Sequence, residues 1–273
     1  MIARFWGVRG SIAVPGADTL RYGGNTACVS LEIDGRLLIL DAGTGIRPLG
    51  ATLVGSTQEL CILISHAHAD HIAGFPFFAP IYERDRCIDV VDFEEGGRTW
   101  SLLQVLDGLH SPMLPAHAAA ACRHAGGPDF AVLRDKGFDV RAIPLNHPGG
   151  AWGFRVFDRG RSFVYMTDNE IDAADARTSF DAFVRFCHGS DVLCHDAQFL
   201  DHEMPSRAGW GHSSVNQACD LAIAAGVQHL VLFHHDPDRS DDALDRIALA
   251  ATERVSPYWI RCDAAREGLS IQL

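Results

Sequence analysis

Six short apolar runs in this 273-residue chain each stop abruptly at polar residues. The runs are rich in branched and aromatic side chains, which is typical of buried β-strands. They are 37–40 before Asp41, 60–64 before Ser65 and His66, 140–145 before Asn146 and His147, 163–166 before Thr167 and Asp168, 192–194 before His195 and Asp196, and 230–233 before His234 and His235. Ligands of layered α/β folds bind at the carboxyl ends of strands. The pattern therefore predicts an α/β fold with its functional residues along one edge.

Helical apolar spacing marks three segments between these strands, at 181–187, 216–225 and 242–252. Ser214 is a candidate N-cap for the second segment, and Gly226 is a candidate stop after it. Because no repeat or linker divides the chain, we expect residues 1–273 to form a single domain. The least patterned stretch, at about 85–128, is predicted to be an insertion or lid over the functional edge, or else a surface connection.

Composition limits the classes of partner. The chain is 47% hydrophobic and 21% charged, which excludes disorder. Its 23 Lys and Arg against 35 Asp and Glu give a net charge of −12, so it lacks the basic field that long nucleic acids require. The eight cysteines include no CxxC pair and are expected to be reduced. With no secretion-like start and no apolar run of membrane-spanning length, a cytoplasmic protein without membrane contact is expected.

The densest group of metal-binding side chains is the HxHxDH motif at 66–71, directly after a predicted strand. These four side chains cannot all meet one tetrahedral ion, because neighbouring residues leave the backbone in different directions. They can divide between two ions, with His66 and His68 facing one ion and Asp70 and His71 facing the other. Imidazole nitrogen and carboxylate oxygen are ligands that zinc prefers.

This motif resembles that of the metallo-β-lactamase superfamily, and the resemblance covers most of the chain. In that family a lone His, a metal-bridging Asp and a final His follow, each at a strand end, and His147, Asp168 and His234 match them in order. The resemblance implies a four-layer αββα sandwich and two Zn²⁺ ions, with Mn²⁺ as the alternative metal. The implied ligands are His66, His68 and His147 for one ion, Asp70, His71 and His234 for the other, and Asp168 for both.

Two adjacent metal ions indicate hydrolysis, since they supply hydroxide near neutral pH and neutralise charge on the attacking and leaving oxygens. Asp70 is therefore expected to be a catalytic residue as well as a metal ligand. His68 stands where similar diiron flavoprotein oxidoreductases have Glu, which disfavours oxygen or nitric oxide reduction. Asp41, in Asp41-Ala-Gly-Thr-Gly45, matches the family's early Asp-x-Gly element and is expected to orient a ligand histidine.

The segment Trp210-Gly-His-Ser-Ser214 is similar to the His-Ser-Thr element of the tRNase Z and related phosphodiesterase branch. That resemblance implies that His212 is a general acid beside the phosphate and that Asp196 orients it. The segments 7–11 and 21–26 resemble the opening of bacterial cyclic-nucleotide phosphodiesterase-like members. They suggest substrate contacts by Asn25 and Thr26, and more weakly by Arg9.

The sequence therefore predicts a dinuclear-metal phosphodiesterase acting on cyclic nucleotides or other small phosphodiesters. The alternatives are a lactonase or glyoxalase-II-like thioesterase on the same metal centre, a tRNA 3′-processing endonuclease, and a non-enzymatic nucleotide sensor. True tRNase Z members carry a basic flexible arm, whereas this chain has one lysine, Lys136, and scattered arginines. Family resemblance also implies a homodimer. A role for His235 beside the last ligand is left open between catalysis and shaping of its loop.

Overall fold

Two β-sheets pack face to face between layers of helices in a computed structural model of the chain. The structure describes residues 1–91, 94–95, 98–99, 102–106, 121–124 and 131–273. Within these residues the layers follow the order helix, sheet, sheet, helix. The predicted α/β class and four-layer αββα sandwich are thus confirmed.

The first sheet has seven strands, and three of its neighbouring pairs are parallel: β3 with β4, β4 with β5, and β5 with β8. In spatial order its strands are β15 (Ser270–Gln272), β1 (Ile2–Gly7), β2 (Cys28–Ile33), β3 (Arg36–Leu40), β4 (Leu60–Leu63), β5 (Cys87–Val91) and β8 (Ala121–His124). A separate two-stranded ribbon joins β6 (Glu94–Glu95) to β7 (Arg98–Thr99).

The second sheet has six strands, in the order β14 (Arg261–Ala264), β13 (His229–Phe233), β12 (Val192–Asp196), β11 (Arg161–Met166), β10 (Ala151–Asp158) and β9 (Asp139–Leu145). The strands from β11 to β14 run parallel to one another. Parallel strands end at a common edge, so β11, β12 and β13 deliver their following residues to one side of the molecule. All six apolar runs identified in the sequence lie in strands, apart from Ile64, which directly follows β4.

Aromatic rings hold the two sheets together. Phe5 of β1 lies 6.4 Å from Phe163 and 6.0 Å from Phe233, measured between ring centroids, and Tyr165 lies 5.5 Å from Phe233. All four side chains are fully buried. The sandwich interior is thus a close-packed apolar core that leaves the strand ends for polar chemistry.

Helices cover the outer faces of both sheets. They are α1 (Ile46–Leu53), α2 (Ala69–Ile72), α3 (Ala131–Asp135), α4 (Phe180–Cys187), α5 (Met204–Arg207), α6 (Val215–Ala225) and α7 (Asp241–Val255). Short 3₁₀ turns occupy 17–19, 75–77, 79–82, 102–105 and 256–258. The three predicted helical segments correspond to α4, α6 and α7. Ser214 caps α6 and Gly226 ends it in the left-handed conformation, as the sequence predicts.

Part of the stretch at about 85–128 builds the first sheet, because it supplies β5 and β8. Much of the predicted insertion or lid, including 107–120 and 125–128, lies outside the described residues. Its function as a lid stays a prediction. In the described part of the chain seven cysteines are free thiols, and no helix has the length and apolarity needed to cross a membrane.

Candidate metal centre

Seven His and Asp side chains meet at the edge where the strand ends of the two sheets face each other. They form two groups whose ligand atoms lie within 4.8 Å of one another, and Asp168 belongs to both. The groups are His66, His68, His147 and Asp168, and Asp70, His71, Asp168 and His234. The structure thus brings together all seven residues that the family resemblance implies, divided as it implies. Together the two groups form a candidate dinuclear metal site.

In the first group three imidazoles surround one oxygen of Asp168. Its Oδ2 lies 3.6 Å from Nε2 of His66 and 3.8 Å from Nε2 of His147. Nδ1 of His68 points into the group and lies 3.0 Å from Nε2 of His147. His68 is exposed, so this group lies on the solvent side of the centre.

The second group is buried and more tightly closed. Nε2 of His71 lies 3.2 Å from Oδ2 of Asp70 and 3.1 Å from Oδ1 of Asp168. Nε2 of His234 lies 3.1 Å from each of the same two oxygens. Two imidazole nitrogens and two carboxylate oxygens therefore point at one small volume.

The donor atoms fit divalent metal ions. Nε2 of His66 and Nε2 of His71 are buried and have no hydrogen-bond partner among the described residues. Nδ1 of His71 donates to Oδ2 of Asp41 at 2.8 Å, which leaves the lone pair of Nε2 facing the carboxylates of Asp70 and Asp168. Lone pairs facing carboxylate oxygens in a buried site require a cation between them.

Electrostatics of the centre lead to the same conclusion. Burial and the neighbouring His71 hold the pKa of His66 well below its usual value, which keeps that imidazole in the neutral form that binds metal. Burial alone would lower the pKa of His71, but the Asp70 and Asp168 carboxylates outweigh it and raise that pKa. Without metal, the second group thus attracts a proton to the place where a cation fits.

Asp41 supports the centre from beneath. Besides His71, its carboxylate accepts from the backbone N–H of Ser65 at 2.7 Å, from the Ser65 hydroxyl at 2.8 Å and from the Tyr165 hydroxyl at 2.8 Å. Four donors fix this buried carboxylate, and it in turn fixes the tautomer of His71. The expected orienting contact of Asp41 with a ligand histidine is present.

Two other ligand histidines are held through their outer nitrogens. Nδ1 of His147 donates to the carbonyl of Gly211 at 3.0 Å, and Nδ1 of His234 donates to Oε1 of Gln198 at 3.2 Å. Gln198 in turn donates to the hydroxyl of Ser11, whose backbone N–H donates to Asp70 at 2.8 Å. These contacts leave each Nε2 free to bind metal.

His212 and Asp196 form a pair beside the second group. Nδ1 of His212 lies 2.7 Å from Oδ2 of Asp196, and the His212 ring stacks on His234 with centroids 5.0 Å apart. Burial alone would lower the pKa of His212, but Asp196 outweighs it and raises that pKa to about 9. The other oxygen of Asp196 accepts from the backbone N–H of Ser213, so the carboxylate and the imidazole are fixed together.

The predicted substrate contacts make other bonds. Nδ2 of Asn25 donates to Glu267 at 3.1 Å, and Oγ1 of Thr26 accepts from the backbone N–H of Thr44 at 2.8 Å. Arg9 is fully buried, and its guanidinium donates to backbone carbonyls, including that of Arg239 at 2.7 Å. The contacts of these side chains thus stabilise the N-terminal loops, and their roles in substrate binding stay predictions.

His235 turns away from the two groups. Its Nε2 donates to the carbonyl of Ala265 at 2.8 Å, and burial lowers its pKa to about 3. These contacts match the interpretation in which this histidine shapes the loop after β13.

Gln198 and Glu170 are both buried, and no sequence motif marks either of them as functional. Glu170 accepts from the backbone N–H groups of Gly209 and Gly211, at 2.9 Å each. The only sequence signal was position, because both residues follow a predicted strand within a few residues of a site aspartate. Their partners lie on loops distant along the chain, and local patterns do not reveal such pairs.

Comparison with known proteins decides the family. A family model described as a beta-lactamase superfamily domain matches residues 36–235, which span all seven residues of the two groups. The chain belongs to the metallo-β-lactamase superfamily. Membership identifies it as a metal-dependent hydrolase.

Relatives within the superfamily include a ribonuclease Z from Thermobifida fusca, which is 24% identical over 267 residues and covers 81% of each chain. The metallo-β-lactamase fold protein YhfI from Bacillus subtilis shares the fold with a TM-score of 0.70, 19% identity and 99% coverage of each chain. A diphosphatase from the PhnP family also has a TM-score of 0.70 and 19% identity, covering 100% of this chain and 97% of its own. At such identities the two structural likenesses show the fold alone.

Proposed function

We propose that this metallo-β-lactamase superfamily member is a phosphodiesterase that uses two zinc ions to cleave small phosphodiesters, with cyclic nucleotides as the expected substrates. The observation that carries the proposal is the pair formed by Asp196 and His212. Oδ2 of Asp196 lies 2.7 Å from Nδ1 of His212, and the His212 ring stacks on the ring of His234. A thioester has less need of a second, carboxylate-held imidazole beside the metals, because its thiolate leaving group departs without a proton. A phosphodiester does need one, because an alkoxide leaving group requires a proton.

Different residues of the chain would bind the metal ions, donate the proton and orient the proton donor. His66, His68, His147, Asp168, Asp70, His71 and His234 would hold the two ions. When bound, the ions would supply a hydroxide nucleophile near neutral pH and offset charge on the phosphate. His212 would donate a proton to the leaving oxygen, and the Asp196 carboxylate, which raises the pKa of this imidazole, would favour its protonated form. Asp196 would hold the imidazole in position throughout.

Net charge supports a small substrate over a long one. The chain carries −12 and a single lysine, Lys136, whose amino group lies 3.4 Å from Glu59 and 3.6 Å from Asp89. Long nucleic acids bind chiefly through Lys and Arg contacts to phosphates. A small phosphodiester needs only the local field of two dications.

A tRNA 3′-processing endonuclease is the second candidate. The ribonuclease Z relative from Thermobifida fusca favours it, since the match covers 81% of both chains. This candidate predicts cleavage of precursor tRNA with a strong dependence on salt concentration. The two candidates share their metal ligands and general acid, so only the choice of substrate separates them.

A substrate screen tests the proposal. Protein loaded with Zn²⁺ or Mn²⁺ is assayed on bis(p-nitrophenyl) phosphate, cyclic nucleotides, a precursor tRNA, a lactone and a thioester. We expect about two ions per chain and cleavage of the small phosphodiesters. Protein that binds two ions but cleaves none of the phosphodiesters with either metal would end the phosphodiesterase proposal, and the lactone and thioester assays would then identify the alternative.

Substitution of the proposed general acid is the second arm of this experiment. His212→Ala is expected to lower the turnover of a cyclic nucleotide, whose leaving group is an alkoxide, by roughly 10²–10⁴-fold while metal content is retained. The matched control is His188→Ala, which removes an exposed histidine at the end of α4 and should leave turnover unchanged. Equal turnover in His212→Ala and the unmodified enzyme would remove the acid role.

The homodimer and the cytoplasmic location expected from the sequence are part of this proposal. Light scattering on the purified protein measures its mass in solution, and a mass of one chain would overturn the dimer. Fractionation of cells that express the protein tests the location.

A further inference from the structure

Trp210 stands out on the surface beside the proposed active site. It is 53% exposed and lies two residues before His212, on the loop that follows α5. Exposure of a large aromatic ring adds nothing to folding stability, because the hydrophobic effect favours its burial. The exposed part of the Trp210 ring is therefore available to a ligand.

The loop is held rigidly on both sides of Trp210. The buried carboxylate of Glu170 accepts from the backbone N–H of Gly209 and from that of Gly211, at 2.9 Å each. Both glycines have left-handed backbone, with φ of +80° and +86°, and a Cβ at Gly211 would lie 2.0 Å from Nδ1 of His147. The backbone that carries the exposed ring is thus fixed by the same contacts that fix a metal ligand.

The ring itself is supported by Arg207 and Phe199. The guanidinium carbon of Arg207 lies 4.4 Å from the centroid of the Trp210 ring and 5.3 Å from that of Phe199. Phe199 also contacts the ring of His212, with centroids 5.7 Å apart. Among the described residues Arg207 forms no ion pair with a carboxylate, so its positive charge is available to an anionic ligand. An aromatic ring, a cation and the proposed general acid are thus joined through one buried phenylalanine.

We propose that Trp210, backed by Arg207, is a stacking platform for the nucleobase, or another flat ring, on one ester arm of the substrate. The inference rests on the proposed phosphodiesterase function and names the part of the substrate that the metal centre does not bind. Every base has a π-face, so stacking on Trp selects flat rings without selecting one base. Rigid support of the loop reduces the entropy lost on binding.

Two substrates with the same leaving group test the platform. Thymidine 5′-(p-nitrophenyl) phosphate and methyl p-nitrophenyl phosphate both release p-nitrophenolate, and only the first carries a base. In Trp210→Ala the ratio of kcat/KM for the thymidine ester to that for the methyl ester should fall about 10-fold, mainly through KM. Trp210→Phe keeps an aromatic ring and should retain most of the ratio. The matched control is Trp259→Ala, a 94% exposed tryptophan after α7, which should leave the ratio unchanged.

A binding measurement separates this inference from the proposed function. Thymidine 5′-monophosphate should quench tryptophan fluorescence, inorganic phosphate should not, and the quenching should disappear in Trp210→Phe. If the unmodified enzyme cleaves both esters and Trp210→Ala changes their ratio less than twofold, the platform is overturned while the phosphodiesterase stands. If it cleaves neither ester, the substrate screen decides on the phosphodiesterase and fluorescence alone decides on the platform: quenching that depends on Trp210 supports the platform, and its absence overturns it.

Discussion

Three residues of the centre have a left-handed backbone, which is uncommon for residues other than glycine. Asp41, Asp168 and His234 have φ of +62°, +56° and +60°, and each directly follows a strand or lies within two residues of its end. Such conformations cost about 1–3 kcal/mol each and persist only where the surrounding contacts require them. Here the turn directs each side chain toward the gap between the sheets, so backbone strain at the strand ends builds the ligand set.

Asp41→Asn isolates the charge of one of these residues. Asn adopts the left-handed conformation as readily as Asp, so the turn should keep its shape. The amide places a donor where the carboxylate accepted from His71 or Tyr165, and the orientation of His71 is lost. We expect metal affinity to fall about 10–100-fold, measured by competition with a chromogenic chelator.

The control for that substitution is Asp34→Asn. Asp34 also has positive φ, at +49°, but lies in the turn between β2 and β3 and pairs with Arg159 at the surface. Its metal affinity should equal that of the unmodified protein. Unchanged affinity in Asp41→Asn as well would contradict the supporting role of Asp41.

At the scale of elements, α6 links His212, the proposed general acid, to the outer helix layer. The helix begins directly after His212 and Ser213, and its N-cap Ser214 accepts from the backbone N–H of Gln217, whose side chain accepts in return from the backbone N–H of Ser214. This capping box satisfies two backbone donors at the start of the helix. The loop that carries His212 thus ends on a fixed helix start.

Ser214→Ala should therefore lower the free energy of unfolding by about 1 kcal/mol, because the first turn of α6 loses its cap. Urea denaturation followed by circular dichroism measures this change. Ser206→Ala, an exposed serine in the short helix α5, serves as the comparison and should stay within about 0.5 kcal/mol. Equal stability of the two variants would show that the cap is dispensable.

The elements differ in how far the sequence reveals them. The strands β3, β4, β9, β11, β12 and β13 are readily predicted, because their apolar runs end in polar residues. The strands β5 and β8 lie in the stretch around 85–128 that has the weakest pattern, and only the pairing of β5 with β4 and of β8 with β5 identifies them as strands. Partners on a neighbouring strand supply the backbone hydrogen bonds of a sheet, so strand formation there depends on tertiary contacts.

At the scale of the whole molecule, the centre joins the two sheets. The motif at 66–71 follows β4 of the first sheet, whereas His147, Asp168 and His234 follow β9, β11 and β13 of the second. Ions bound by both sets tie together two layers that are otherwise joined by apolar packing. Metal binding should therefore stabilise the fold as well as supply chemistry.

Removal of metal should lower the Tm. At about 100 times its Kd a ligand stabilises the folded state by about 2.7 kcal/mol, which corresponds to about 5–10 °C for a chain of this size. Calorimetry of the metal-loaded and EDTA-treated protein measures the difference. Asp168→Ala, which removes the shared carboxylate, should give nearly the same Tm in both conditions. An equal Tm of the loaded and stripped forms of the unmodified protein would argue against a structural contribution of the ions.

The sequence by itself determined the layered α/β fold, the order of the seven predicted ligands and the caps of α6, since each depends on local pattern or on chain order. Only the tertiary structure decided which buried groups hold the ligands. Glu170 reaches Gly209 and Gly211, Gln198 reaches His234, and Asn25 turns to Glu267. These partners lie 36 to 242 residues apart along the chain. Packing of the two sheets brings such distant loops together, and no local rule encodes which polar groups will then meet.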